Sequence, residues 1–316
     1  MSARLRAGAV ALVTLAAGCE LAEVAAPKSS DLLVVEAVMR VGQARQYVLL
    51  HRSLEGDVVR GEPGAMIVVV GPNGERVSFA EAPLAECLYG TVDGWGLGAT
   101  QIEATCYRSP AAASHFVMPG AEYELEVETL RGEIARARSR VPEAVDYRVP
   151  AVSVDPLTRV ATCRLSNEPF TLVWSRAEGA WSYIVSLRLS GWGDELREQG
   201  VEVPDPLELT GVSVSAADTT LRFPENLGLF QRGDFDQRIF QALNRGLPEG
   251  AASTLVVVAN DRNYTNAIRG GRFNPSGQVR GSSIVGDAVG VFGSVAPVTI
   301  RSVPPADGSP LPPCGA

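Results

Sequence analysis

The chain has little of what catalysis usually draws on. Only two histidines occur in 316 residues, His51 and His115, far apart in sequence and without a neighbouring nucleophile. No Cys-x-x-Cys pair is present and no histidine lies close to a cysteine, so a zinc site is not the expectation. An excess of basic charge is also lacking. The formal net charge is −8, which argues against nucleic acid or an anionic membrane surface as an electrostatic partner. Long apolar runs are missing too: none reaches the ~20 residues that a membrane-spanning helix requires. GSSIVG has its serines at the wrong spacing for a nucleophile elbow. GWGLGA carries alternate glycines but no surrounding βαβ unit, which excludes the usual nucleotide cradle. Arg232-Gly233-Asp234 spells an adhesion tripeptide, yet Asp234 is better used as a helix cap, and Asp234 and Asp236 do not continue into a calcium loop. The expectation is therefore a protein that is not an enzyme, with no catalytic residue, cofactor or metal.

What is present begins with a leader. Arg4 and Arg6 precede a short apolar core from Ala7 to Ala17, and Ala16, Ala17 and Gly18 sit directly before Cys19. Two positive charges, a short apolar core and small residues make a secretory signal. The stretch resembles the lipobox of bacterial lipoproteins, with Ala16 where leucine is commonest and Leu15 one place earlier. The resemblance implies cleavage before Cys19 and acylation of its thiol with fatty chains such as palmitate. The alternative is a plain secreted protein with a cysteine near the cut. One acyl chain binds membranes only marginally, and stable anchoring takes more than one; lipoproteins of this class carry three. Glu20, rather than Asp, removes the inner-membrane retention signal of the class, which leaves the outer membrane as the expected address, on its periplasmic or cell-surface face. Residues 1–18 are then signal peptide and 19–30 a tether. Removal of those 18 residues, which hold two arginines and no acid, leaves 298 residues at a formal charge of −10.

With Cys19 acylated, four cysteines remain in an oxidising compartment. Three pairings are possible. Cys87–Cys106 with Cys163–Cys314 is favoured because each bridge stays within one proposed domain, and each loop closure stabilises by roughly 3–5 kcal/mol on the chain-entropy account. Four buried free thiols are the alternative.

From Asp31 the pattern is short, valine-rich and alternating. LLVVEAVMRV, QYVLLHRS and AMIVVVGPNGERVSF predict strands, with Pro72-Asn73-Gly74 as a turn. YELEVETLRGEIARARSRV predicts a hairpin. Tyr123, Leu125 and Val127 share one face and Glu124, Glu126 and Glu128 the other. Beyond the turn, Ala135, Ala137, Ser139 and Val141 oppose Arg136, Arg138 and Arg140. A turn centred on Gly132 pairs 128 with 136, 126 with 138 and 124 with 140. The arginine stripe then reads as a ladder of opposite charges, about 0.2–1 kcal/mol per pair, rather than as an anion-binding patch.

Three prolines in VPEAVDYRVPAVSVDP mark a break. The expected layout is an N-terminal β-sandwich over 31–148 and a second over 149–316. Strands are predicted in RVATCRL, EPFTLVWSRAEGAWSYIVSLRLSG, STLVVVAND and VGVFGSVAPVTIRSV. The Trp174 strand followed by Ala-x-x-Tyr at Ala180 and Tyr183 resembles the fibronectin type III sandwich, in which the tryptophan packs between sheets. Residues 194–250 read as a loop-rich insertion with one helix in DFDQRIFQALNRGLPEG, capped by Asp234, with Phe235, Ile239, Phe240 and Leu243 on its buried face. The fold class expected is mainly β, two sandwiches with a short helical insertion.

Taken in order, DLLVVEAVMRVGQARQYVLLHRS, GAMIVVVGPNGERV, MPGAEYELEV and FNPSGQVRGSSIVGDAVGVFGSV resemble an uncharacterised bacterial lipoprotein family, domain-of-unknown-function family 4249. Asn274-Pro275-Ser276 and Gly290-Val291-Phe292-Gly293 fit its motifs, while Gly286-Asp287-Ala288 departs from its usual glycine pair. The resemblance implies a prealbumin-like first sandwich (the carboxypeptidase-regulatory type) and a fibronectin-like second. It supplies no catalytic residues. It implies an accessory role beside TonB-dependent transporters of the outer membrane.

Two Gly-Trp-Gly triplets remain, around Trp95 and Trp192, with Asp93 beside the first and Asp194 and Glu195 beside the second. Exposed indoles with adjacent carboxylates suit a sugar or peptide ligand. The competing reading folds each indole back over a sandwich end. Activity itself is not legible. The leading expectation is a lipid-anchored binding or assembly module of the envelope. A structural or adhesive lipoprotein is the alternative, and a hydrolase using Asp194, Glu195 and Glu198 is weaker.

Overall fold

A computed structural model gives the fold and describes residues 31–52, 60–89, 103–113, 115–193, 197, 200, 202–213, 215–227, 237–247, 251–270, 281–303 and 309–315. Cys19, Trp95, Asp93, Asp194, Glu195, Glu198, Asp234 and Phe235 lie outside these residues. The chain is mainly β, in two sheet regions, with short helices between the strands.

Alternation builds the first region. In β1 (Leu33–Arg40), Leu33, Val35, Ala37 and Met39 are buried and the residues between them are mostly half-exposed. β1 pairs antiparallel with β2 (Tyr47–Arg52), which pairs with β5 (Thr105–Arg108). The opposing layer holds β3 (Met66–Val70), β6 (Glu122–Glu128) and β7 (Ile134–Arg140). β4 (Arg76–Ala82) turns the corner: Arg76–Phe79 pair with β3, and Ala80–Ala82 pair with β5. A short helix, α1 (Leu84–Tyr89), lies against the outer side of β2 and β5 and is bonded to β5 through Cys87–Cys106.

The β6–β7 hairpin has the predicted faces but not the predicted register. Glu122, Glu124 and Glu126 oppose Arg140, Arg138 and Arg136, a shift of two residues. The cause is the turn. Thr129 N donates to Glu133 O at 3.0 Å and Gly132 N to Thr129 O at 2.9 Å, so Leu130, Arg131 and Gly132 form a three-residue loop. Gly132, at φ 78°, is the left-handed last loop residue and not the centre. A shift of two keeps every side chain on its face, so the charge ladder survives; Arg138 reaches Glu124 at 3.3 Å.

In the second region, β11 (Ser182–Ser190) and β14 (Ala252–Asn260) pair along nine residues. A small sheet faces them, made of β8 (Tyr147–Val149), β10 (Thr171–Trp174) and β13 (Thr220–Arg222). β12 (Leu207–Val212) pairs with β11, and β9 (Val160–Thr162) runs beside the last long strand, β16 (Ala288–Ser302). The stretch 194–250 is therefore not only an insertion, since it contributes β12 and β13 to the two sheets. Pro204, Pro206 and Pro224 crowd both strands and mask their alternation in sequence. The helix there, α2 (Gln237–Leu243), buries Ile239 and Leu243, one turn apart, whereas Phe240 lies to the side and is exposed.

β16 joins the halves. Its residues 288–295 pair in parallel with all eight residues of β1, and residues 295–302 pair antiparallel with β14. β15 (Ile284–Gly286), just before it, pairs with β7. The break near 148 is thus a break along the chain, and the hydrogen-bonded sheet runs across it. A nine-residue helix, α3 (Arg262–Gly270), covers the crossing point, with Tyr264 and Ile268 against Ile184, Val256, Val258 and Val295. At the tail, Cys163–Cys314 is closed, and Arg164 N donates to Pro312 O while Arg164 O accepts from Cys314 N, which lays the last residues alongside.

Each region carries one tyrosine that staples its strand to the loop before it. Tyr123 Oη donates to Phe116 O at 2.7 Å and accepts from Met118 N at 3.0 Å. Tyr183 Oη accepts from Ala177 N at 2.9 Å. A tyrosine near a strand start bonded a few residues upstream is a feature of sandwich corners.

Candidate functional site

Trp174 ends β10 and points between the two sheets of the second region. Its ring meets Tyr183 edge-on, with centroids 5.5 Å apart. The residue is 3% exposed. Its Nε1, however, has no hydrogen-bond partner among the described residues. An indole nitrogen can only donate, and a buried donor left unpaired costs about 1–3 kcal/mol.

The same side chain lines a cleft of about 250 Å³ with Val185, Val212, Ser213, Asp218, Thr220, Leu221 and Asn226. The elements explain its position. β12 ends the large sheet and β13 ends the small one, so the sandwich opens between them. The polar rim is held in place. Ser213 Oγ accepts from Tyr183 N at 2.6 Å, and Asn226 Oδ1 accepts from Arg222 N at 2.8 Å. Trp174 N donates to Thr219 O at 3.1 Å, which fixes the wall opposite β12. Val185, Val212 and Leu221 give an apolar lining, and the rim oxygens give directional contacts. The volume is below the ~300 Å³ of an ordinary drug-sized pocket, so it fits one sugar ring or one peptide side chain.

The predicted site residues fare differently. Trp192 is 4% exposed and belongs to the main core. Cys87, Cys106, Cys163 and Cys314 are joined in the favoured pairing. His115 is exposed on a loop, at φ 67°. His51 on β2 stands 3.9 Å from Glu36 on β1. Burial lowers its pKa, but the adjacent Glu36 carboxylate and the Arg52 carbonyl together outweigh this and raise it. Ser282 and Ser283 of GSSIVG bond the backbone of Gly290 and Phe292 and so shape the β15–β16 turn.

Sequence reasoning missed a buried polar hub under α3. Asp261 caps that helix, accepting from Tyr264 N at 2.7 Å, and also accepts from Ser139 Oγ of β7 at 2.8 Å. Ser139 Oγ in turn lies 2.6 Å from Ser294 Oγ of β16. Burial pushes the Asp261 carboxyl up to about 6, against the lowering effect of these donors. Ser182 Oγ and Thr265 Oγ1 extend the hub at 2.8 Å. Every hydroxyl is committed within the protein, so the hub welds β7, β11, β16 and α3 together. Among the described residues no group of three His, Cys, Asp or Glu is placed to hold a metal ion, and no helix is long and apolar enough to cross a membrane.

No family model and no curated protein matches the chain. Among solved structures it is similar to a DUF4785 family protein from Legionella pneumophila subsp. pneumophila str. Philadelphia 1, at 14% identity over 73% of this chain and 54% of that one, with a TM-score of 0.21. It is similar to trypsin-activated alpha-2-macroglobulin from Escherichia coli, at 10% identity over 87% of this chain and 16% of that one, with a TM-score of 0.21. A third is DIP-gamma IG1+IG2, at 11% identity over 85% and 95%, with a TM-score of 0.19. The chain spans about half of the first protein and a small part of the second, and at these scores no argument rests on any of the three.

Proposed function

We propose that the protein is a lipid-anchored binding module of the bacterial outer envelope, moored by acylated Cys19, with its ligand site in the Trp174 cleft. The carrying observation is a cleft at the open end of the sandwich that joins an apolar lining to a rim of polar side chains. A ligand hydroxyl or amide bonds the rim oxygens, and the apolar lining takes its body. The leader supports the anchor, and two disulfides agree with an oxidising compartment. The resemblance to family 4249, with its prealbumin-like and fibronectin type III-like sandwiches, supports an accessory role beside a TonB-dependent transporter.

The test is photocrosslinking in intact cells. A photoreactive phenylalanine analogue in place of Val212, at the cleft rim, is compared with one in place of Asn73, on a distant turn. A discrete adduct at 212 that is lost when Leu221→Trp fills the cleft supports the reading. Equal or absent adducts at both positions, in chains shown to be acylated, refute the cleft as the ligand site.

A further inference from the structure

The described chain begins where an apolar patch lies exposed. Asp31 Oδ2 is 2.8 Å from Arg131 Nη1, and Asp31 O accepts from Arg52 Nη1 at 3.3 Å. The chain therefore enters the body at the tip of the β6–β7 hairpin. Leu130 projects from that tip and is 80% exposed. Met66 and Ile134 flank Glu128 in one rung of the outer face, at 60% and 48% exposure. Val285, at 73%, sits opposite Arg136, one step along the same face. Leu32, next to the entry point, is exposed as well.

The tip is braced. Arg52, itself buried, donates to Glu62 Oε2 at 2.6 Å and to Glu133 Oε1 at 2.7 Å, and Thr129 Oγ1 donates to Glu133 Oε2 at 3.0 Å. Leu130 is thus presented outward by a rigid turn, at a position where small polar residues are the usual choice. Exposed apolar residues grouped at one end, here interspersed with Glu128 and Arg136, mark an interaction surface.

We propose that this end of the molecule is a lipid-facing surface that rests on the bilayer to which the chain is tethered. The inference rests on the anchoring part of the proposed function. Residues 19–30 reach about 40 Å at most when fully extended and join the body beside this patch, so the patch is the part of the body nearest the anchor along the chain. Apolar side chains lead the contact, with the exposed Glu128 and Arg136 between them on the same face. Leucine and methionine side chains enter the headgroup boundary and add to the hold of the acyl chains.

The experiment uses the full acylated protein in vesicles of phosphatidylcholine and phosphatidylethanolamine. With Cys19 acylated and four cysteines paired, a thiol introduced by Leu130→Cys, Val285→Cys or Asn73→Cys is the single labelling site for an environment-sensitive fluorophore. Asn73 lies in the turn at the far end of β3 from Met66, about 17 Å along the strand. Lipid-borne spin labels are expected to quench the fluorophore at 130 and 285 several-fold more than at 73. Equal quenching at all three, or none at any, in chains whose mass shows acylation overturns the proposal while the anchor stands. A mass showing Cys19 unacylated removes the anchor, and the proposal with it.

Discussion

Asp261 is one carboxylate doing two jobs, and the second strains the first. As a helix cap it is best charged; as the centre of a hub between β7 and β16 it is taken out of water. Burial wins, and its pKa stands at about 6 rather than 3.8. A folded-state value raised above the unfolded one means the associated stability is complete below about 3.8 and is lost as pH rises through about 6. The shift corresponds to about 3 kcal/mol. Asp261→Asn keeps a capping oxygen and removes the titration. Urea unfolding of the two proteins from pH 4 to pH 7 is expected to show the difference between them moving toward the variant by a few kcal/mol as pH rises, and a flat difference contradicts the assignment. None of this was legible in sequence. RNYTNAIRG has too few apolar residues to announce a helix, and a cap is recognised only when its helix is.

At the scale of elements, strand faces were legible and turns less so. The glutamate and arginine stripes fixed which side of β6 and β7 faces water, because a period of two leaves no other choice. The register depended on one glycine's place within the loop, and a centred Gly132 misplaces every pair by two residues. β12 and β13 were hidden by their prolines, and the cleft with them, since its residues come from five separate stretches and only Trp174 stood out. The ion cluster that braces the hairpin was equally invisible, as Arg52, Glu62 and Glu133 converge only in space. Glu62 and Arg52 are both buried there. Arg52→Met preserves length and packing but leaves Glu62 without a partner, a loss of about 3–5 kcal/mol by denaturant unfolding. Adding Glu62→Gln and Glu133→Gln is expected to restore most of it. A single substitution with no cost shows that the tip is not held by this cluster.

At the scale of the molecule, β16 decides whether two regions are two folding units. The proline-rich break near 148 divides the chain into two expected sandwiches, 31–148 and 149–316. The hydrogen-bonded sheet runs across that break. Without residues 284–295, all eight residues of β1 lose one partner strand, and β7 loses β15. Phe292, Val295 and Ile284 leave the core at the same time. An opened edge next to a missing core wall is both unstable and prone to pair with other chains. Residues 31–148 expressed alone are therefore expected to lack slow amide exchange in β1 and to associate. The same piece extended by a linker and residues 281–303 is expected to regain protection from Val34 to Met39 and to unfold cooperatively. If 31–148 alone shows that protection, the shared strand is an accessory contact and the two sandwiches are independent; if only the extended piece does, the final strand is what makes the N-terminal half fold.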